Sequence, residues 1–201
     1  MANIIDWGTA ETADASGHYF TLAELRATAD EFDNVTKYPD ETLEQKRDEA
    51  EEDFEAIAHR AFVPRTATAV VRGGEAYVFL AFRDIRTLVS VTLAGVAVDT
   101  TGVVIDPILG GLLHPSVWPA GILTVTYTHG LDAPNAAVKG AVLKLAKIYT
   151  KPSAIDPRAT AVINTEVGGY RISVAGKDGT TGIPDVDAAA ARYGDNTPVV
   201  G

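Results

Sequence analysis

Trp118-Pro-Ala-Gly-Ile-Leu-Thr-Val-Thr-Tyr-Thr-His-Gly130 is the stretch that decides the fold. From Ile122 onward it alternates, with Leu123, Val125 and Tyr127 set against Thr124, Thr126 and Thr128. That period of two predicts a half-buried strand. Pro119, Gly121 and Gly130 punctuate its ends. The period then changes. From Pro134 to Thr150 the apolar positions are Val138, Ala141, Val142, Leu145, Ala146 and Tyr149, which is helical spacing, and Pro152 ends the run.

Upstream of this stretch the strand signal continues. Thr66–Arg72, Tyr77–Phe82, Leu88–Leu93, Val96–Val98 and Val103–Ile105 are rich in β-branched and aromatic residues. Between them stand Gly73-Gly74, Arg83-Asp84, Gly95, Asp106-Pro107 and Gly110-Gly111. Further upstream the helical period returns. Thr21 and Glu24 form a capping box that starts a short helix ending near Asp30. Pro39 and Asp40 open a second helix running to about Ala61, with Leu43, Ala50, Phe54, Ile57 and Ala61 on one stripe. Downstream, Val162–Thr165 and Tyr170–Val174 read as a hairpin turning at Gly168-Gly169, and Pro184–Tyr193 as a last short helix.

Helices on both sides of a β block imply the α+β class rather than alternating βαβ units. The expected architecture is a small helical bundle core with an inserted antiparallel β block and an extended C-terminal arm containing a β-hairpin and a short helix. The expected boundaries are an N-terminal arm at 1–18, helical core at 19–62 and 132–151, the β insertion at 63–131, and the C-terminal arm at 152–201. The second and third helices are expected to pack together.

The chain has 201 residues, enough for one domain with an appendage, and its 46% hydrophobic residues suffice for a core. No apolar stretch is long enough to predict a transmembrane helix, and Met1–Ala10 does not read as a secretory signal. The absence of cysteine excludes disulfides, a thiol nucleophile and thiolate-bound metal, and fits synthesis in a reducing compartment. The net charge of −10 argues against binding a nucleic-acid backbone. Its distribution is lopsided. Residues 1–60 hold 16 acidic and 5 basic side chains, while the rest hold 11 and 12. The second helix carries much of this excess, including Asp48, Glu51, Glu52 and Glu55; the third carries only Lys139, Lys144 and Lys147.

Catalytic signatures are missing. None of the five serines lies in G-x-S-x-G, Gly176-Lys177 is not part of a P-loop, and the four histidines form no H-E-x-x-H. Glu55 and His59 are spaced to share a metal or a proton, but such a pair is ordinarily a surface contact. His114 and His129 sit in or beside turns with no carboxylate placed by sequence. The acids of Asp48–Glu55 splay around the helix instead of converging on a metal. No catalytic residue, metal or cofactor is therefore expected. The contrast between an acidic and a basic helix suggests pairing within a subunit or between copies, and a head-to-tail contact that closes makes a ring.

The ordered set of motifs resembles the head-to-tail connector (adaptor) proteins of long-tailed, siphovirus-type bacteriophages, especially those infecting actinobacteria. The residues carrying the resemblance are Tyr19-Phe-Thr-Leu-Ala-Glu-Leu-Arg26, Ala50-Glu-Glu-Asp-Phe-Glu-Ala-Ile57, Arg60-Ala-Phe-Val-Pro-Arg65 and Leu88-Val-Ser-Val-Thr92. The opening stretch Trp118–Gly130 follows, then Ala133-Pro134, the Val138–Ala146 helix, Gly182-Ile-Pro-Asp-Val-Asp187 and Ala191-Arg-Tyr193. Residues 1–18 and 194–201 fall outside it, and 99–117 reads as an insertion.

The resemblance implies a structural, non-enzymatic virion protein, made in the host bacterial cytoplasm. It implies a homo-oligomeric ring, usually twelvefold, below the phage portal protein, with a neck stopper or tail terminator protein beneath. DNA would pass through without specific binding, and no membrane is involved. On this reading Asp48, Glu51, Glu52 and Glu55 form an acidic DNA-channel face, since like charge lets phosphates slide. Tyr170, Arg171, Ile183, Pro184, Val186 and Tyr193 are the expected portal-docking residues, and Lys139, Lys144 and Lys147 an inter-subunit basic face. The competing readings are another neck or tail-completion ring protein, a carboxylate-dependent hydrolase using Glu55, His59 or the acidic run, and a carbohydrate-binding module with Trp118 and Tyr127 exposed.

Overall fold

The computed structural model describes residues 10–13, 17–151 and 180–195. The chain forms two compact units. One comprises Met1–Gly17 and Ala61–Ala133, the other His18–Arg60 and Pro134–Gly201. The first is β and the second helical, so the class is α+β as the sequence predicts, with a helix near the C-terminus.

In the helical unit, α1 (Leu22–Arg26) begins where Thr21 accepts the Glu24 amide and Glu24 reaches back to the Thr21 amide. This capping box satisfies two amides that would otherwise face the helix end unpaired. A 3-10 turn at Asp30–Asp33 follows. Arg26 ties the turn to the next helix by donating to the carbonyls of Phe32 and Tyr38 and pairing with Asp40. α2 (Asp40–Ala58) has Asp40 and Glu41 in its first turn, the favourable end of the dipole. It stops three residues earlier than the periodicity predicts, because His59 turns left-handed at φ 51°. α3 (Ala136–Thr150) is capped by Asn135, which accepts the amides of Ala137 and Val138. α4 (Pro184–Tyr193) has proline at its start. The core of this unit holds Tyr19, Leu25, Phe32, Leu43, Phe54, Val138, Val142, Leu145 and Val186, all buried. α2 and α3 do pack together, and the Tyr149 hydroxyl donates to Asp53 across them at 2.6 Å.

In the β unit, five strands pair antiparallel in the order β1-β2-β8-β4-β5. They are β1 (Ala10–Ala13), β2 (Arg65–Arg72), β4 (Ile85–Leu93), β5 (Val96–Ala97) and β8 (Ile122–His129). A second sheet has the order β3-β7-β6, from β3 (Tyr77–Phe79), β6 (Val104–Asp106) and β7 (Gly111–Leu113). The predicted alternation in β8 is observed. Leu123, Val125 and Tyr127 are buried with Ala67, Ala69, Val91 and Trp118, while the threonines stay partly exposed. Thr126 meets Thr68 on that outer side, and Thr128 meets Thr87.

Two strands are absent from the sequence reading. β1 lies in the expected arm and pairs with β2. β7 begins at Gly111, which reads as a breaker, yet it lies between β3 and β6. Where the chain enters and leaves this unit, the Leu131 amide donates to the Ala61 carbonyl at 3.1 Å. The hairpin expected at 162–174 lies outside the described residues.

Candidate functional site

The expected acidic face divides in two. Asp48 and Glu52 are exposed. Glu51 is only 2% exposed, which corrects the expectation that it lines a solvated face. Its carboxylate accepts the Tyr19 amide at 2.8 Å and lies 3.3 Å from His18 Nδ1. Glu55, half-buried, accepts the Tyr19 hydroxyl at 2.8 Å. The reason is positional. Leu43, Arg47, Ala50, Glu51, Phe54 and Ala58 are the buried residues of α2 and lie at helical spacing, so the inward stripe carries two charged residues among its apolar ones. That spacing was the available signal, and residue type hid it. A buried carboxylate needs partners, and the segment His18-Tyr19 provides them. Among the described residues, Glu41, Glu44 and Glu52 have no ion-pair partner and remain as outward negative charge.

The basic helix is engaged within its own unit. Lys139 pairs with Glu24 at 2.5 Å, Lys144 with Asp185, and Lys147 donates to the Thr28 carbonyl at 2.6 Å. Lys151, just beyond, pairs with Glu31. Lys139, Lys144 and Lys147, the expected inter-subunit basic face, are thus held within the unit by Glu24, Asp185 and the Thr28 carbonyl. The hydrogen bond from Lys139 holds the Glu24 carboxyl below the ordinary glutamate value, and Lys151 does the same for Glu31. Because both carboxylates are lowered on folding, their stabilisation is present above the unfolded glutamate pKa and is lost as pH falls through the folded one. In Lys151→Gln, Glu31 is expected to titrate closer to free glutamate while Glu24 stays low. Carboxyl-carbon NMR across an acid titration reads both, and an unmoved Glu31 would refute the pairing.

The expected docking residues also divide. Ile183 and Val186 are buried, with Ala189 and Ala190, in the contact of α4 with α2 and α3. This corrects their assignment to an exposed docking surface: the apolar stripe of α4 is used by its own unit. Thr181 helps fix the start of α4, its amide and hydroxyl both donating to Asp187 at 2.7 Å. Pro184 is exposed, and Tyr193 is half-buried beneath the Arg192 guanidinium. Tyr170 and Arg171 lie outside the described residues.

The residues weighed for hydrolysis and glycan binding do not converge. His59 is exposed at the end of α2, while Glu55 is taken by Tyr19. His129 is buried and stacks on Phe82, with ring centres 4.3 Å apart. His114 Nδ1 accepts the Ser116 amide. Trp118 and Tyr127 are core residues, which corrects their candidacy as exposed aromatics; the Trp118 ring N–H points to the Leu112 carbonyl. Among the described residues no three carboxylates or imidazoles are grouped to hold a metal, and no helix is long and apolar enough to cross a membrane.

No family model and no curated protein matches this chain. Solved structures do. A chain in the neck of an empty gene transfer agent (GTA) particle, computed with C6 symmetry, superposes with a TM-score of 0.64 at 16% identity. The match covers 96% of this chain and 98% of that one. The neck of the native GTA particle, computed with C12 symmetry, gives 0.62 at 17% identity with the same coverage. The virion of the native GTA particle gives 0.61 at 15%, again over 96% and 98%. At such identities the shared property is the fold: this chain has the fold of chains found in structures of gene transfer agent necks and virions.

Proposed function

We propose that this protein is a structural ring component of a phage-type neck, joining the portal to the tail and continuing the DNA channel. The observation that carries this reading is the match, end to end on both chains, to structures from C12- and C6-symmetric necks. The resemblance of Tyr19–Arg26, Arg60–Arg65 and Trp118–Gly130 to phage head-to-tail adaptors supports it independently. In the ring the outward acids of α2, chiefly Glu52 with exposed Asp48 beside Arg47, face the channel and repel phosphate. The segment after residue 151 reaches the portal through Tyr170 and Arg171, and the outward side of α4 adds Pro184 and Tyr193. The role is non-enzymatic and belongs to the virion.

Mass photometry of the full chain mixed with the portal protein from the same genome tests this. The expected result is a complex heavier than the portal by about twelve copies, one closed symmetric ring. A chain that forms its own ring but ignores the portal would place it lower in the neck or tail. A chain that neither assembles nor binds the portal would overturn the reading.

A further inference from the structure

The second sheet buries one face and leaves the other in water. Its pairing register aligns Val78, Leu112 and Ile105 on the side facing the β core. The same register puts Tyr77, Leu113 and Val104 on the opposite side, with Phe79 next along β3. The Tyr77 and Phe79 rings meet there, with centres 4.7 Å apart. At one end the hairpin from β6 to β7 carries Ile108 and Leu109 at its tip, 78% and 55% exposed. The tip is firmly built, since Asp106 Oδ1 accepts the amides of both residues and its carbonyl accepts that of Gly110. Two exposed apolar side chains are thus held on a tight turn at one end of the β6–β7 ladder, with exposed Phe79 opposite Gly111 near that end and exposed Val104 and Leu113 paired at the other.

By their fractional exposure these five side chains leave on the order of 500 Å² of mostly apolar surface in water, at the top of what a monomer ordinarily shows. A standard interface hides roughly 800 Å² on each partner, somewhat more than half of it apolar. The patch therefore supplies about the apolar content of one full side of an interface.

We propose that this face, led by Ile108 and Leu109, is covered by a second copy of the chain and forms one half of the head-to-tail contact between ring neighbours. The inference rests on the ring reading above. In a ring each copy meets its two neighbours through two different surfaces. The same unit offers a second exposed apolar pair, Val89 on β4 and Val96 on β5, for the other side.

The test compares the full wild-type chain with Ile108→Asp/Leu109→Asp. Both positions are exposed and the Asp106 turn bonds are to backbone, so thermal unfolding of the variant should match wild type. The expected result is that the variant needs at least tenfold higher concentration to assemble. The chain has no cysteine, so Ile108→Cys gives a direct reading of burial. Maleimide labelling of that residue should slow at least tenfold in the assembled fraction relative to diluted monomer. Equal assembly of the aspartate variant, with Ile108→Cys labelled as fast in the ring as in the monomer, would overturn the contact and leave the ring reading intact. A variant that assembles normally but no longer binds another neck protein would give the face to that protein, and also overturns it. For a wild-type chain that is monomeric alone yet adds to the portal as a ring, both comparisons are made on the portal-bound ring, and normal addition of the aspartate variant with Ile108→Cys labelled as fast as in the monomer ends the copy-to-copy contact but not the neck role. A wild-type chain that neither assembles alone nor adds to the portal ends both.

Discussion

Glu51→Ala is expected to destabilise the helical unit by about 3 kcal/mol, because it removes a buried carboxylate and takes from the Tyr19 amide its acceptor. In a chain of this size that corresponds to a fall in Tm of roughly 6–12 °C. Ellipticity at 222 nm during urea unfolding reports it. Glu52→Ala, one residue along the same helix and exposed, should stay within about 0.5 kcal/mol of wild type. Glu51→Gln keeps the shape and one oxygen acceptor for the Tyr19 amide, but loses the charge facing His18, and should fall between the two. Equal effects at positions 51 and 52 would mean that Glu51 is not the inward carboxylate described above.

Gly130→Ala is expected to destabilise the β unit by about 3 kcal/mol, from two separable causes. Gly130 has φ +96°, a conformation that side chains with a Cβ rarely adopt. A methyl group there would also lie inside contact distance of the Val63 carbonyl oxygen, with the Ala61 methyl at 3.0 Å. Gly95→Ala isolates the first cause. Gly95 has φ +81° but nothing within 4 Å of the added carbon, so its loss should be about 1 kcal/mol. Unfolding followed by Trp118 emission in a Trp7→Phe background compares the two. A Gly130 variant no worse than the Gly95 one would show that the backbone around Val63 yields freely.

What the sequence makes legible depends on how much of each signal is local. Capping at Thr21 and the alternation of Leu123, Val125 and Tyr127 each need only a few neighbouring residues, and each appears where expected. β1 and β7 are too short to show a period; pairing to β2, and to β3 and β6, makes them strands. The acidic helix misleads for a related reason. Charge predicts exposure residue by residue, but Arg47 and Glu51 occupy inward positions of α2, and His18 and Tyr19, far away in sequence, make the Glu51 position tenable. In the same way Lys139, Lys144 and Lys147 read as a basic stripe until Glu24, Asp185 and the Thr28 carbonyl are brought alongside by folding. Ile183 and Val186 read as a docking surface because sequence does not say which apolar stripe finds its own core.

The bond from Leu131 to Ala61 joins the two strands of chain through which the β unit is entered and left. A segment whose doorway is closed on itself imposes little spacing on the helices it interrupts. It can be lengthened, exchanged or lost in evolution while the helical frame stays in register.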